Sequence, residues 1–186
     1  NGDDKVKLEN KIAVVTGGAM GNGAGIVEVF AKYKARVIIF DYSDKIASAI
    51  QDFRNKGYDV AGYKVDIRDA RRVKLCVDDI IKRYGHIDIL VNNAGVAKLV
   101  PFVEMSDEIR DFHFDINIKG TWNVTKSVVP YMQKQKYGKI VNLSSVTGPM
   151  VADAGEVAYA TTKSALIGFT KGLARELVDD HINVNA

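Results

Sequence analysis

"VVTGGAMGNGAGI", Val14 to Ile26, sets five glycines directly after a β-branched apolar run. Such a span can be a flexible linker, a tightly packed turn, or a backbone cradle for a phosphate. Gly17, Gly21 and Gly23 follow Thr16 as Thr-Gly-x-x-x-Gly-x-Gly. A turn this tight needs positive φ angles, and a phosphate reaches main chain only where no Cβ intervenes. The flanks decide between these readings. A linker lacks a strand before it and a helix after it, and an ATP-binding P-loop ends in Gly-Lys-Ser/Thr, which is missing here.

Short β-branched runs at 11–16, 35–41, 60–66, 87–92, 139–144 and 182–186 read as buried strands. Helical patterns lie between them at 23–34, 44–56, 69–84, 107–135 (with a break) and 156–179. This alternation predicts an α/β fold, a doubly wound parallel sheet with helices on both faces and right-handed crossovers. The glycines then fall between the first strand and the first helix, whose free N–H groups and positive dipole end suit a pyrophosphate.

Composition bounds the partners. At 186 residues and 47% hydrophobic, the chain suits one domain, 1–186, with a full core. Lys and Arg number 26 against 23 Asp and Glu, a net +3 that gives no reason to expect nucleic acid or a membrane surface. The densest basic stretch, "KQKYGK" at 134–139, falls where a helix should end. No apolar run reaches transmembrane length, and the polar start "NGDDKVKLENK" is unlike a signal peptide. The single cysteine, Cys76, points to a reducing compartment, hence a cytoplasmic protein. Sequons at Asn123 and Asn142 are then accidental. His86, His113 and His181 show no metal-ligand spacing, so no metal is expected. Trp122 and Phe114 are expected in the core or in a subunit contact.

The remaining unusual residues gather at strand ends, where open α/β sheets bind ligands. Asp41 ends the second strand, Asp66 the third, Asn92-Asn93-Ala94-Gly95 the fourth and Ser144-Ser145 the fifth. Asp41 lies 18 positions after Gly23 (41 − 23), near the spacing of an acid that binds the adenosine ribose. Ser43 or Asp44 can cap the following helix, which leaves Asp41 free for that role. Asp66 has a competing reading as a turn-and-cap pair with Asp69. Of eight tyrosines, only Tyr159 has a lysine four residues on, Lys163, on the same helix face. A free phenol has a pKa near 10, too high for efficient proton transfer at neutral pH, and a nearby ammonium lowers it. Tyr159 with Lys163 therefore makes a general acid/base, with Ser145 placed to hydrogen-bond the reacting oxygen.

Taken together, Thr16-Gly17-x-x-x-Gly21-x-Gly23, Asn92-Asn93-Ala94-Gly95, Asn117, Ser145 and Tyr159-x-x-x-Lys163 resemble the short-chain dehydrogenase/reductase family over nearly the whole chain. Within it, "FHFDINIKGTWNVTK" and "VNLSSVTGPMVADAGEVAYATTK" resemble a branch of bacterial oxidoreductases. The resemblance implies a Rossmann fold, a nicotinamide cofactor, and hydride transfer to or from a small alcohol or ketone. It makes Tyr159 the acid/base, Lys163 the residue that holds the nicotinamide ribose and tunes the tyrosine, Ser145 the carbonyl-orienting group, and Asn117 the support of a water relay. It places Gly17, Met20, Gly21, Asn22, Gly23, Asp41, Asp66, Ile67, Asn93, Ala94 and Gly95 against the cofactor, along with Tyr159 and Lys163. Asp41 with no nearby cation in the loop or after the second strand favours NAD over NADP.

The resemblance also implies a homodimer, often within a homotetramer, built on the Tyr159 helix and the one before it. Residues 148–158 would line one wall of the substrate pocket. Asn22 stands where the family usually has Ile. Family members continue past the segment like 182–186 with a Pro-Gly turn, a lid and one more strand. The chain is therefore expected to be C-terminally incomplete, to bind dinucleotide weakly by itself and not to turn over. A rival reading on the same fold is a catalytically silent NAD-binding sensor or scaffold, since fold does not fix function; the intact Asn117, Ser145, Tyr159 and Lys163 argue against it.

Overall fold

The structure, a computed structural model, describes residues 7–186. The first six residues of the polar start lie outside it. Strands β1 (Ile12–Thr16), β2 (Arg36–Asp41), β3 (Val60–Lys64), β4 (Ile89–Asn92), β5 (Gly138–Asn142) and β6 (Ile182–Asn185) form one sheet in the order β3-β2-β1-β4-β5-β6. Every pairing is parallel. Helices α1 (Gly21–Lys32), α2 (Ile46–Asn55), α3 (Ala70–Tyr84), α4 (Asp107–His113), α5 (Thr121–Gln135) and α6 (Val157–Glu176) supply the crossovers.

Burial on both faces explains the unbroken apolar strands. All five residues of β1 are buried, and its side chains alternate between two cores. Ile12 and Val14 join Ile38, Phe40, Leu90 and Ile140 on the face covered by α3 and α5. Ala13 and Val15 join Val37, Ile39 and Val91 on the face covered by α1 and α2. Helix α3 shows the matching period, burying Val73, Cys76, Val77 and Ile80 while its charged residues face out. Asp69 caps its start by accepting from Arg72 N, and Gly85 closes it in the left-handed region at φ 85°.

Several boundaries differ from the sequence pattern. The first helix starts at Gly21, two residues early, so part of the glycine turn is already helical. Strands β3 and β5 stop at Lys64 and Asn142, which leaves Asp66, Ser144 and Ser145 on the loops beyond them. The N-cap of α2 is Lys45, so neither Ser43 nor Asp44 occupies that position; Ser43 Oγ instead accepts from Lys45 N at 3.2 Å. The break expected within 107–135 is a π-helical stretch, Phe114–Gly120, between α4 and α5. Gly120 is needed there, because a Cβ on it would lie 2.5 Å from the Ile67 side chain. Among the described residues no helix is long and apolar enough to cross a membrane, and no three His, Cys, Asp or Glu side chains gather as a metal site.

Candidate active site

At the carboxyl ends of β1, β2 and β4 lies a cleft of about 520 Å³, within the range of cofactor sites. Its floor is the glycine turn. Gly17 and Gly21 have φ of 66° and 58°, conformations that other residues adopt only with strain. Gly23 serves close approach: a Cβ on it would sit 2.0 Å from Gly17 O and 2.5 Å from Asn93 Nδ2. The turn therefore packs tightly and also opens the start of α1 towards the cleft. Met20 at the N-cap makes no side-chain cap bond, so the first N–H groups of α1 are left for a ligand. Met20 and Asn22 both line the cleft and are exposed. These features fit a dinucleotide pyrophosphate: main-chain donors, a helix start and no Cβ in the way.

Thr16 fixes the far wall, a role that the motif alone does not disclose. Its Oγ1 accepts from both Asn93 N and Ala94 N at 3.0 Å. Asn93 Nδ2 returns to donate to Thr16 O and Gly17 O at 3.0 and 3.1 Å. The ends of β1 and β4 are thus stitched into one unit beneath Gly95.

Asp41 is buried at the β2 side of the cleft, but it is not idle. Its Oδ2 accepts from Ala19 N and its Oδ1 from Ser43 N, both at 3.0 Å. It anchors the glycine turn to β2 and keeps acceptor capacity to spare on each oxygen. Asp66 and Ile67 also line the cleft. Asp66 is held by Arg68, whose Nη2 donates to Oδ2 at 2.6 Å and whose Nε and main-chain N reach the same carboxylate. Hydrogen bonds from that guanidinium keep the Asp66 pKa below the usual carboxylate range. Arg68 itself lines the cleft, beside Phe112 and Ile116. Sequence reading missed all three. The only signal for Phe112 and Ile116 was their four-residue spacing on one helix face.

The proposed catalytic residues converge from three elements. Lys163, on α6, is 5% exposed, donates from Nζ to Leu143 O at 2.7 Å, and lies 5.6 Å from the Tyr159 ring centroid. Burial pushes its pKa below the ordinary lysine value. A Cβ on Gly95 would meet both Lys163 Nζ and Asn117 Oδ1 at 3.3 Å, so the cleft wall and the catalytic end share this point. Asn117, in the π-helical stretch, is buried. It accepts from Val96 N at 2.8 Å and donates to Val96 O at 2.9 Å and Thr162 Oγ1 at 3.0 Å. Its side chain is fully engaged in holding neighbours in place. The two serines part company: Ser144 Oγ donates to Lys163 O at 2.8 Å, whereas Ser145 Oγ accepts from Thr147 N at 3.1 Å and keeps its own proton to donate. The Tyr159 hydroxyl has no partner among the described residues. Ser145, Tyr159 and Lys163 do not line the cleft itself; they lie past its Gly95 end.

Six parallel strands in this order, with a glycine-floored cleft at their carboxyl ends, define a Rossmann-type fold. The chain belongs to the short chain dehydrogenase family, whose model matches residues 11–186. That family consists of hydride-transferring oxidoreductases that use nicotinamide cofactors. The chain is 51% identical over 180 residues to a Salmonella typhimurium protein named oxidoreductase UcpA, an alignment covering 97% of this chain and 68% of that one. A gluconate 5-dehydrogenase from Burkholderia cenocepacia, solved in complex with NADP and tartrate, superimposes with a TM-score of 0.92 at 29% identity, over 100% of this chain and 72% of the other. An NAD+-bound xylitol dehydrogenase also gives 0.92, at 30% identity over 97% and 70%.

Proposed function

We propose that residues 1–186 act as the dinucleotide-binding and catalytic domain of an NAD-dependent dehydrogenase or reductase for a small alcohol or ketone. The observation that carries this reading is the meeting at Gly95. There Lys163, 5.6 Å from the Tyr159 ring centroid, reaches the wall of the glycine-floored cleft. A nicotinamide dinucleotide held there supplies the carbon that accepts or gives up the hydride. Tyr159 Oη takes the hydroxyl proton when an alcohol is oxidised and returns it when a ketone is reduced. The Lys163 ammonium favours the phenolate electrostatically, and Ser145 donates to the reacting oxygen. Asn117 holds the wall at Val96 and the Tyr159 turn, through Thr162, in one frame.

NAD is favoured because Asp41 faces the adenosine end, where a 2′-phosphate dianion would meet a carboxylate. Among the described residues Arg68 is the one cation lining the cleft that could offset this, and Asp66 already engages it. Trp122 is 53% exposed and stacks on Phe169 with centroids 5.2 Å apart; an apolar pair of this kind on α5 and α6 supports a homodimer or homotetramer. Buried, unpaired Cys76 supports a cytoplasmic setting.

The test is Tyr159→Phe in the full-length protein. Turnover should fall at least ~100-fold, the scale of lost acid/base catalysis, while NADH affinity stays within a few-fold. Unchanged turnover would remove the reading.

A further inference from the structure

Beyond Gly95 the chain continues without regular secondary structure as residues 96–100, leaving the cleft after Val96, and alternate amides in it are held. Val96 N donates to Asn117 Oδ1 at 2.8 Å, Lys98 N to His113 Nε2 at 2.9 Å, and Val100 N to Gly155 O at 3.0 Å. Ala97 N and Leu99 N donate to nothing among the described residues. The segment is thus pinned at alternate amides, twice by buried side chains and once by main chain.

His113 is 0% exposed. Its Nδ1 lies 2.7 Å from Ile109 O, and its Nε2 faces the Lys98 amide. A carbonyl only accepts and a peptide N–H only donates, so Nδ1 carries the proton and Nε2 is bare. The ring is a neutral bridge with one fixed tautomer. Its sequence neighbour Phe112 lines the cleft, and Lys98 Nζ rests 4.7 Å from the Phe112 ring centroid, so the strap, the ring and the cleft wall form one assembly.

We propose that His113 is a positioning residue: its neutral ring holds residues 96–100 in place and so sets how well the Gly95–Val96 wall receives the dinucleotide. This rests on the reading of the cleft given above. Asn117 fixes the strap at one point and His113 at the next. With both, the wall cannot pivot about Val96.

The experiment compares His113→Leu and His113→Gln with the parent, in the full-length protein. In the parent, Lys98 and Val96 amides should exchange slowly while Ala97 and Leu99 exchange fast, and nitrogen shifts should report a proton on Nδ1. His113→Leu should lose Lys98 protection and raise the dinucleotide KM about tenfold, the scale of one buried hydrogen bond left unmade, with kcat within about threefold. His113→Gln, whose amide both donates and accepts, should return KM to within about threefold of the parent. Loss of Lys98 protection with unchanged KM would overturn the proposal, as would a KM that Gln does not rescue. If His113→Leu fails to fold, a parent ring protonated on Nε2, or a fast-exchanging Lys98, overturns it alone. A parent that binds no nicotinamide dinucleotide would sink the reading of the cleft, and the amide pattern then decides the strap by itself.

Discussion

At the end of β1 the floor of the cleft is main chain, whereas beyond its Gly95 end, behind β4 and β5, the frame is held by buried side chains. In the first region the surface is made by Gly17, Gly21, Gly23 and the open N–H groups of α1, and Asp41 grips the backbone at Ala19. In the second a polar ladder runs through the sheet. Asn92 Nδ2 donates to Thr125 Oγ1 at 2.9 Å and Asn142 Oδ1 at 2.8 Å, and Asn142 Nδ2 donates to Thr170 Oγ1 at 2.9 Å. This ladder ties α5 to α6 behind Tyr159 and Lys163. A phosphate is bound by donors that any residue carries, so its site is built by removing side chains. A proton-transfer site needs particular atoms at fixed places, so its site is built by adding them.

If that contrast is right, the first region should be damaged by added atoms and the second by removed ones. The largest effect should come from Gly23→Ala, whose Cβ would clash with Gly17 O at 2.0 Å. A loss of about 3 kcal/mol is expected from overpacking against backbone that cannot rotate away, together with loss of dinucleotide binding. Thermal melts and a fluorescence titration with NADH would report both, and a variant that binds normally would break the comparison.

Next comes Asn142→Leu, which leaves Asn92 Nδ2 without one acceptor in a fully buried setting. About 2 kcal/mol of stability should go, with NADH affinity within a few-fold of the parent. Denaturant unfolding checks the first part. A matching loss of NADH affinity would show that the ladder belongs to the cofactor site after all.

The smallest effect is a change of preference. Asp41→Ala should shift the ratio of kcat/KM for NAD over NADP about tenfold towards NADP, equal to ~1.4 kcal/mol. The same substitution frees Ala19 N and Ser43 N, so a modest fall in overall affinity should accompany it. A parent that prefers NADP, or a ratio that stays put, would take Asp41 out of that role and turn attention to Arg68.

The contrast also explains what the sequence discloses. Buried parallel strands must be apolar on both faces, so β1, β2 and β4 announce themselves, and with them a doubly wound parallel sheet, though not the order of its strands. Gly17, Gly21 and Gly23 are legible because only glycine meets their demands. The motif singles out Asn117, Tyr159 and Lys163 as candidates. What the motif could not give was how Asn117 works, since its partners Val96 and Thr162 lie 21 and 45 positions away. Arg68 and His113 escaped for a related reason. Arg68 falls in the cleft because β3 ends at Lys64 and the chain turns back there, and His113 matters because residues 96–100 happen to pass beside it. Neither path is written in local periodicity.

The order of the strands carries one more consequence, which concerns synthesis rather than catalysis. Ile12 pairs with Arg36, 24 positions on (36 − 12), but Ala13 pairs with Ile89, 76 positions on (89 − 13). Closing the longer loop costs only about 1 kcal/mol more in chain entropy. Time separates them more sharply. At roughly 5–20 residues per second, a ribosome delivers β4 some 4–15 s after β1. Through that interval β1, β2 and β3 can already pair, while the far edge of Ile-Ala-Val-Val-Thr stands open. Of the interior strands, the one that leads into the glycine turn thus waits longest for its second neighbour.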